Sequence, residues 1–86
     1  MKIDLYRDFK KYLDKLSREQ KEQFYERLNI FSKDPFQPIL NNHQLHGELK
    51  NMRSINITGD IRAIYEQVEK NRVLFIMIAS HSKLYD

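Results

Sequence analysis

Three histidines are the side chains of this sequence best suited to acid–base chemistry near neutral pH: His43, His46 and His81. Histidine alone changes its charge near neutrality without help from its surroundings, so it can both accept and donate a proton during a reaction. Taken singly, each is more often a surface residue without a role. The three histidines are therefore candidates for an acid and a base, and the rest of the sequence decides between these readings.

Metal binding is the other chemistry that these histidines could serve. His43 and His46 lie three residues apart with Glu48 close by, but the chain has no cysteine and this spacing is not that of a structural zinc site. The only two glycines, Gly47 and Gly59, cannot build a glycine-rich phosphate loop. We therefore expect no metal, no nucleotide cofactor and no cysteine nucleophile.

Arg62 and Asp60 stand two residues apart in a segment where apolar and polar residues alternate. On a strand, residues two apart share a face, so both would project away from the apolar side. The planar guanidinium of arginine fits phosphate oxygens well. The alternative is that Arg62 only pairs with an acidic neighbour, Asp60 or Glu66.

Further cations and an aromatic residue extend this pattern towards nucleic acid. Lys50 and Arg53 precede the alternating segment, and Tyr85 near the C-terminus could stack on a base. Basic residues with an interleaved aromatic are a modest signal for nucleic-acid binding.

Strands that would position these residues fill the C-terminal half. Apolar residues alternate with polar ones on either side of a turn at Gly59-Asp60, which predicts a β-hairpin. The continuous apolar run over residues 73–79 predicts an interior strand that is covered on both faces. Residues 1–5 also alternate, and they fit either a short strand or an extension of the following helix.

Two helices are predicted in the N-terminal half. Apolar residues over 5–16 recur at helical spacing, and a second helix should span residues 18–32. Ser17 and Gln20 form a capping-box pattern at its start, and Pro35 follows its end. Residues 35–50 lose this period and predict an extended loop. The sequence therefore predicts a single α+β domain over residues 1–86, with an N-terminal helical hairpin packed on a three- to four-stranded antiparallel sheet.

Composition excludes several broad classes of protein. The chain has 86 residues, a net charge of +3 and 41% hydrophobic residues, which is enough apolar material for one modest core. The longest apolar run has seven residues, whereas a membrane helix needs about 20. The positive excess is spread along the chain and does not by itself indicate nucleic acid. We expect a folded cytoplasmic protein without membrane association.

Three segments of the C-terminal half carry a resemblance to a known family. They are residues 43–50 (HQLHGELK), residues 53–65 (RSINITGDIRAIY) and residues 80–85 (SHSKLY). In this order and spacing they resemble the RelE/ParE superfamily of toxin–antitoxin toxins, and most closely its YafQ-like branch. The superfamily also places a short strand and a helical hairpin before an antiparallel sheet, so the resemblance covers the whole chain.

The resemblance implies a metal-independent endoribonuclease that cuts mRNA in the ribosomal A site and is inhibited by a cognate antitoxin. In such toxins a ribose 2′-hydroxyl attacks the neighbouring phosphate. By position in the motifs, His43 and His81 would be the acid–base pair, Arg62 would hold the phosphate, and Asp60 would orient a histidine or the ribose. The RNA-binding positions, which would hold the backbone or stack on a base, are Lys50, Arg53 and Tyr85.

Two departures from the YafQ-like pattern leave other readings open. Asn56 stands where that branch has a further histidine, and Met77 stands where it has an arginine. One alternative is a ParE-like toxin that acts on a protein such as DNA gyrase without cutting RNA. The other is a degenerate domain that kept the fold after losing the chemistry.

Overall fold

The computed structural model describes residues 1–80, apart from the side chain of Ala79. The predicted site residues His81 and Tyr85 lie outside the described residues. The elements are the strands β1 (Lys2–Leu5), β2 (His43–Gln44), β3 (Met52–Asn56), β4 (Ile61–Glu69) and β5 (Arg72–Ser80), and the helices α1 (Phe9–Asp14) and α2 (Arg18–Lys33). Short 3₁₀ turns at Pro38–Leu40 and Gly47–Leu49 flank β2.

The strands form one five-stranded mixed sheet in the order β1-β5-β4-β3-β2. Neighbours pair antiparallel except β1 and β5, which run parallel. The predicted α+β class is confirmed, and so is the interior place of β5, but the expectation of three to four antiparallel strands was wrong. Two paired residues at β2 are too few to show a period, and nothing in the sequence reveals that β1 pairs with a strand distant in the chain.

Pairing with β5 makes residues 2–5 a strand and delays the start of α1. An ion pair of 2.6 Å joins Arg72 Nε to Asp4 Oδ2, on directly neighbouring strands. The hydrogen bond and the charge of Asp4 raise the pKa of Arg72 above its ordinary value. Leu5 therefore ends a strand, and the helix that its spacing predicted from residue 5 begins only at Phe9.

The second helix begins where its capping signal indicates. The Ser17 hydroxyl accepts from the Gln20 backbone N–H at 3.2 Å, and the Gln20 side chain accepts from the Ser17 N–H at 2.9 Å. Each bond satisfies a backbone donor that a helix start leaves unpaired. The helix runs one residue beyond the predicted end and stops before Asp34-Pro35.

Both helices pack on one face of the sheet and bury a single apolar core. Phe75 of β5 lies at its centre, with ring centroids 5.3 Å from Phe31 and Tyr65 and 6.3 Å from Phe9 and Phe24. All five rings are buried, so side chains from α1, α2, β4 and β5 meet around Phe75. This packing leaves the other face of the sheet, here called the outer face, to polar and mixed residues.

Candidate active site

The outer face carries two rows of residues set by strand register. His43 of β2 pairs with Ser54 of β3, which pairs with Ile64 of β4 and, beyond it, with Met77 of β5. In antiparallel strands, directly paired residues project to the same side of the sheet. His43 therefore lies on the outer face together with Ser54, Ile64 and Met77.

The second row lies two residues further along these strands. Asn56 pairs with Arg62, so both project to the same face as Ser54 and Ile64. His43 and Arg62 are two strands and two residues apart, which puts their backbones roughly 12 Å from each other. The face predicted for Arg62 is confirmed, because Ile61, Ala63 and Tyr65 all belong to the core beneath the helices.

Arg62 is a half-buried cation without an acidic partner among the described residues. Its Nη1 donates to the Thr58 carbonyl at 3.3 Å, and its Nε is buried with no hydrogen-bond partner in the part of the chain that the structure describes. Neither Asp60 nor Glu66 forms an ion pair with it within residues 1–80. Within residues 1–80, the alternative that Arg62 only pairs with Asp60 or Glu66 is therefore wrong. A charged donor in this state is suited to an anion brought from outside.

Two neighbours of Arg62 on the outer face also hold unsatisfied polar atoms. Ser54 is fully buried and its Oγ has no hydrogen-bond partner within residues 1–80, and the same holds there for the buried Oδ1 of Asn56. Buried polar atoms are nearly always hydrogen-bonded, so three that no described residue satisfies make this part of the outer face unusual, although Arg27 of α2 has two more. The two positions that depart from the YafQ-like pattern, Asn56 and Met77, both lie on this face.

His43 is oriented by the residue two before it in the chain. Its Nδ1 lies 2.8 Å from the carbonyl oxygen of Asn41. Asn41 ends the 3₁₀ turn at Pro38–Leu40 in the left-handed conformation, with φ 45° and ψ 50°. The ring of His43 is thus tied to the backbone of the loop that precedes β2.

Asn42 and Arg53 belong to a polar network on the helix side of the sheet. Asn42 Nδ2 donates to the Tyr65 hydroxyl at 2.7 Å and to the Pro35 carbonyl at 2.9 Å, and its Oδ1 accepts from Arg53 Nε at 2.7 Å. The guanidinium of Arg53 also lies over the ring of Phe36, 5.3 Å from its centroid. Arg53 is therefore placed away from His43 and Arg62.

Sequence reasoning missed Asn41 and Asn42, which it took only as signs of a loop. The available signal was the run of two asparagines after Pro38, because asparagine is common in left-handed turns.

Asp60 lies outside the strand to which alternation assigned it. It is exposed in the turn between β3 and β4, where its N–H and that of Ile61 both donate to the Thr58 hydroxyl. Strand alternation therefore does not fix the direction of the Asp60 side chain, and its sharing of one face with Arg62 stays a prediction. Threonine hydroxyls commonly stabilise turns in this way, by accepting hydrogen bonds from backbone N–H groups a few residues further on.

Lys50 is exposed at the end of the second 3₁₀ turn, and His46 is exposed at its start. A cavity of about 430 Å³ brings Lys50 and Arg53 together with Glu66 at the β2 edge of the sheet. This cavity is separate from the row that holds Arg62.

The described part of the chain holds neither a metal-binding cluster nor a helix that could span a membrane. Within residues 1–80, no three His, Asp or Glu side chains gather closely enough to hold a metal ion. Neither of the two helices found there has the length and apolar character needed to cross a bilayer.

Solved structures share this fold over nearly their whole length. YafQ from E. coli strain BL21(DE3) superposes with a TM-score of 0.80 at 16% identity, covering 98% of this chain and 97% of that one. A YoeB/ParE toxin from Agrobacterium tumefaciens gives 0.77 at 18% identity, with 94% and 99% covered. The archaeal RelE–RelB complex from Pyrococcus horikoshii OT3 gives 0.75 at 16% identity, with 95% and 96% covered. The fold is therefore that of RelE-like toxins.

Comparison with protein families matches residues 1–86 to the family described as "Bacterial toxin of type II toxin-antitoxin system, YafQ". No curated protein matches the chain. The chain belongs to the YafQ family of type II toxin–antitoxin toxins, and the resemblance found in the sequence is confirmed.

Proposed function

We propose that the protein is a cytoplasmic, ribosome-dependent mRNA endoribonuclease that inhibits translation. The observation that carries this proposal is Arg62, a half-buried guanidinium on the outer face whose Nε has no partner within residues 1–80. Membership of the YafQ toxin family supports the same proposal. A scissile phosphate would supply the missing acceptor.

The proposed reaction is attack of a ribose 2′-oxygen on the adjacent phosphorus. The new bond joins the 2′-oxygen to phosphorus, the bond from phosphorus to the 5′-oxygen breaks, and a 2′,3′-cyclic phosphate and a 5′-hydroxyl result. A base must take the 2′ proton and an acid must protonate the 5′-oxygen, for which His43 and His81 are the proposed pair. Arg62 would stabilise the charge that develops on the phosphoryl oxygens, and Asp60 would orient a histidine or the ribose.

Contacts with the rest of the message are assigned to Lys50, Arg53 and Tyr85. Lys50 is well placed to contact the RNA backbone, since it is exposed beside a polar cavity at the edge of the sheet. Arg53 lines the same cavity, although its Nε is already bound by Asn42. Such contacts position the RNA backbone and carry little sequence information.

We also propose a cognate antitoxin protein as partner. The similar archaeal toxin was solved as a RelE–RelB complex, and the net charge of +3 favours a partner with acidic character.

The test is inducible expression in bacteria, followed by primer extension on an abundant transcript. Wild type should cut inside translated frames and His81→Ala should not, while both should fold equally well by circular dichroism. The matched control is His46→Ala, which removes an exposed histidine outside the site and should still cut. Cleavage should also be lost in extracts without ribosomes.

Other outcomes would replace this proposal. Growth arrest with intact mRNA, insensitive to the histidine substitutions, would point to a protein target such as DNA gyrase. No arrest from a folded protein would indicate a domain that has lost its chemistry, as Asn56 and Met77 in the place of a histidine and an arginine would explain.

A further inference from the structure

The contact between His43 and Asn41 determines where the imidazole carries its proton. A carbonyl oxygen can only accept a hydrogen bond, so His43 Nδ1, 2.8 Å from the Asn41 oxygen, must be the donor. In the neutral ring the lone pair then resides on Nε2.

We infer that Asn41 is a positioning residue, whose left-handed backbone aims its carbonyl at His43 and holds that histidine in the tautomer that is basic at Nε2. What Nε2 does rests on the proposed function: His43 accepts the proton of the 2′-hydroxyl, and His81 donates to the 5′-oxygen. The tautomer itself is a property of the free protein.

The Asn41 carbonyl is held firmly from both sides. Before it, Leu40 is fully buried in the core, and the Asn41 N–H closes the 3₁₀ turn by donating to the Pro38 carbonyl at 3.1 Å. After it, the Asn42 side chain is fixed by its bonds to Pro35 and Tyr65. A carbonyl anchored in this way can fix the orientation of the imidazole, as carboxylates and backbone carbonyls do for histidines in other sites.

The left-handed conformation explains why the residue type at 41 matters. Asparagine and glycine adopt positive φ at little cost, whereas a β-branched residue there is a genuine outlier. Asn41→Gly should therefore keep the carbonyl in place, and Asn41→Val should push the backbone out of the left-handed region and move it. The two variants make a matched pair, because the Asn41 side chain is exposed.

The test is ¹⁵N NMR of the imidazole nitrogens at a pH where the histidines are neutral, with His43 assigned by comparison with His43→Gln. Wild type and Asn41→Gly should show the proton of His43 on Nδ1, while Asn41→Val should shift it towards Nε2. His46, which is exposed, provides the solvent reference in each spectrum. A wild-type His43 protonated on Nε2 would overturn the inference, as would an Asn41→Val spectrum identical to wild type.

Cleavage assays then connect the tautomer to the reaction. Loss of the correct tautomer should lower the cleavage rate of Asn41→Val by about tenfold to a hundredfold, with Asn41→Gly close to wild type. If Asn41→Val does not fold, the wild-type and glycine spectra still decide the tautomer. A protein with Nδ1–H on His43 and no cleavage would overturn the proposed function and leave the positioning role of Asn41 intact.

Discussion

Arg62 is both a residue of strand β4 and the residue proposed to bind phosphate. Its aliphatic stem lies on a sheet whose opposite face is core, and its guanidinium makes one bond to the Thr58 carbonyl. Leaving a buried charged donor unpaired costs free energy in the unliganded protein. Binding of a phosphate would recover that cost, so the penalty favours the ligand-bound state.

If the protein cleaves mRNA as proposed, Arg62→Gln should lower cleavage by about 10²-fold or more, because it removes the charge proposed to stabilise the transition state. The measurement is primer extension over a time course after induction, with unfolding followed by circular dichroism. Arg18→Gln is the matched control, since the Arg18 side chain is 94% exposed on α2 and pairs with Glu22 on the same helix. An equal loss in both variants would assign the effect to overall charge.

Ser54→Ala should raise the free energy of unfolding by about 1 kcal/mol, because it removes a fully buried hydroxyl that has no partner within residues 1–80. Urea denaturation monitored by tyrosine fluorescence measures this directly. A destabilised variant would mean that the hydroxyl is hydrogen-bonded in solution.

Sequence patterns predicted the faces of some site residues and missed others for a physical reason. Alternation with the buried Ile61, Ala63 and Tyr65 predicted the direction of Arg62, because side-chain direction on a strand is a local property. Arg53 bonds to Asn42 and lies over Phe36, both in the loop between α2 and β2, and Asn42 bonds in turn to Tyr65 of β4. No local pattern encodes such a network.

At the level of elements, the start of α2 is a local feature that can be tested by itself. Ser17→Ala should lower the free energy of unfolding by about 1 kcal/mol, since the Gln20 N–H loses the capping hydroxyl that accepts from it. Urea melts of wild type and variant give the difference. Ser32→Ala is the control near the other end of α2, where the hydroxyl bonds back to the Asn29 carbonyl, and it should change stability by a few tenths of a kcal/mol.

Element boundaries followed the sequence wherever the determining interactions were local. The capping box, the turn before Ile61 and the apolar run of β5 all lie where they were predicted. The first helix was predicted too early because Leu5 matches its spacing, yet parallel pairing with β5 outweighs that periodicity.

For the whole molecule, stability depends on the aromatic cluster around Phe75. Phe75→Ala should cost about 3–5 kcal/mol, because four rings lose their common neighbour. A domain of 86 residues has a total stability of roughly 4–13 kcal/mol, so this loss is a large fraction of the total and should lower the melting temperature strongly.

Thermal unfolding followed by circular dichroism measures this effect. Phe36→Ala is the comparison, since the Phe36 ring is 64% exposed and lies outside the cluster. A small change for Phe75→Ala would show that the helices dock on the sheet without the central ring.

The parallel pairing of β1 with β5 also sets an order of events during synthesis. Asp4 leaves the ribosome 68 residues ahead of Arg72, the side chain that it binds. At about 5–20 residues per second, the first strand waits several seconds for its neighbour, and contacts this distant in sequence form late. A nascent chain therefore cannot complete its sheet until Arg72 has left the ribosome, so the folded toxin forms only after nearly all of the chain has been made.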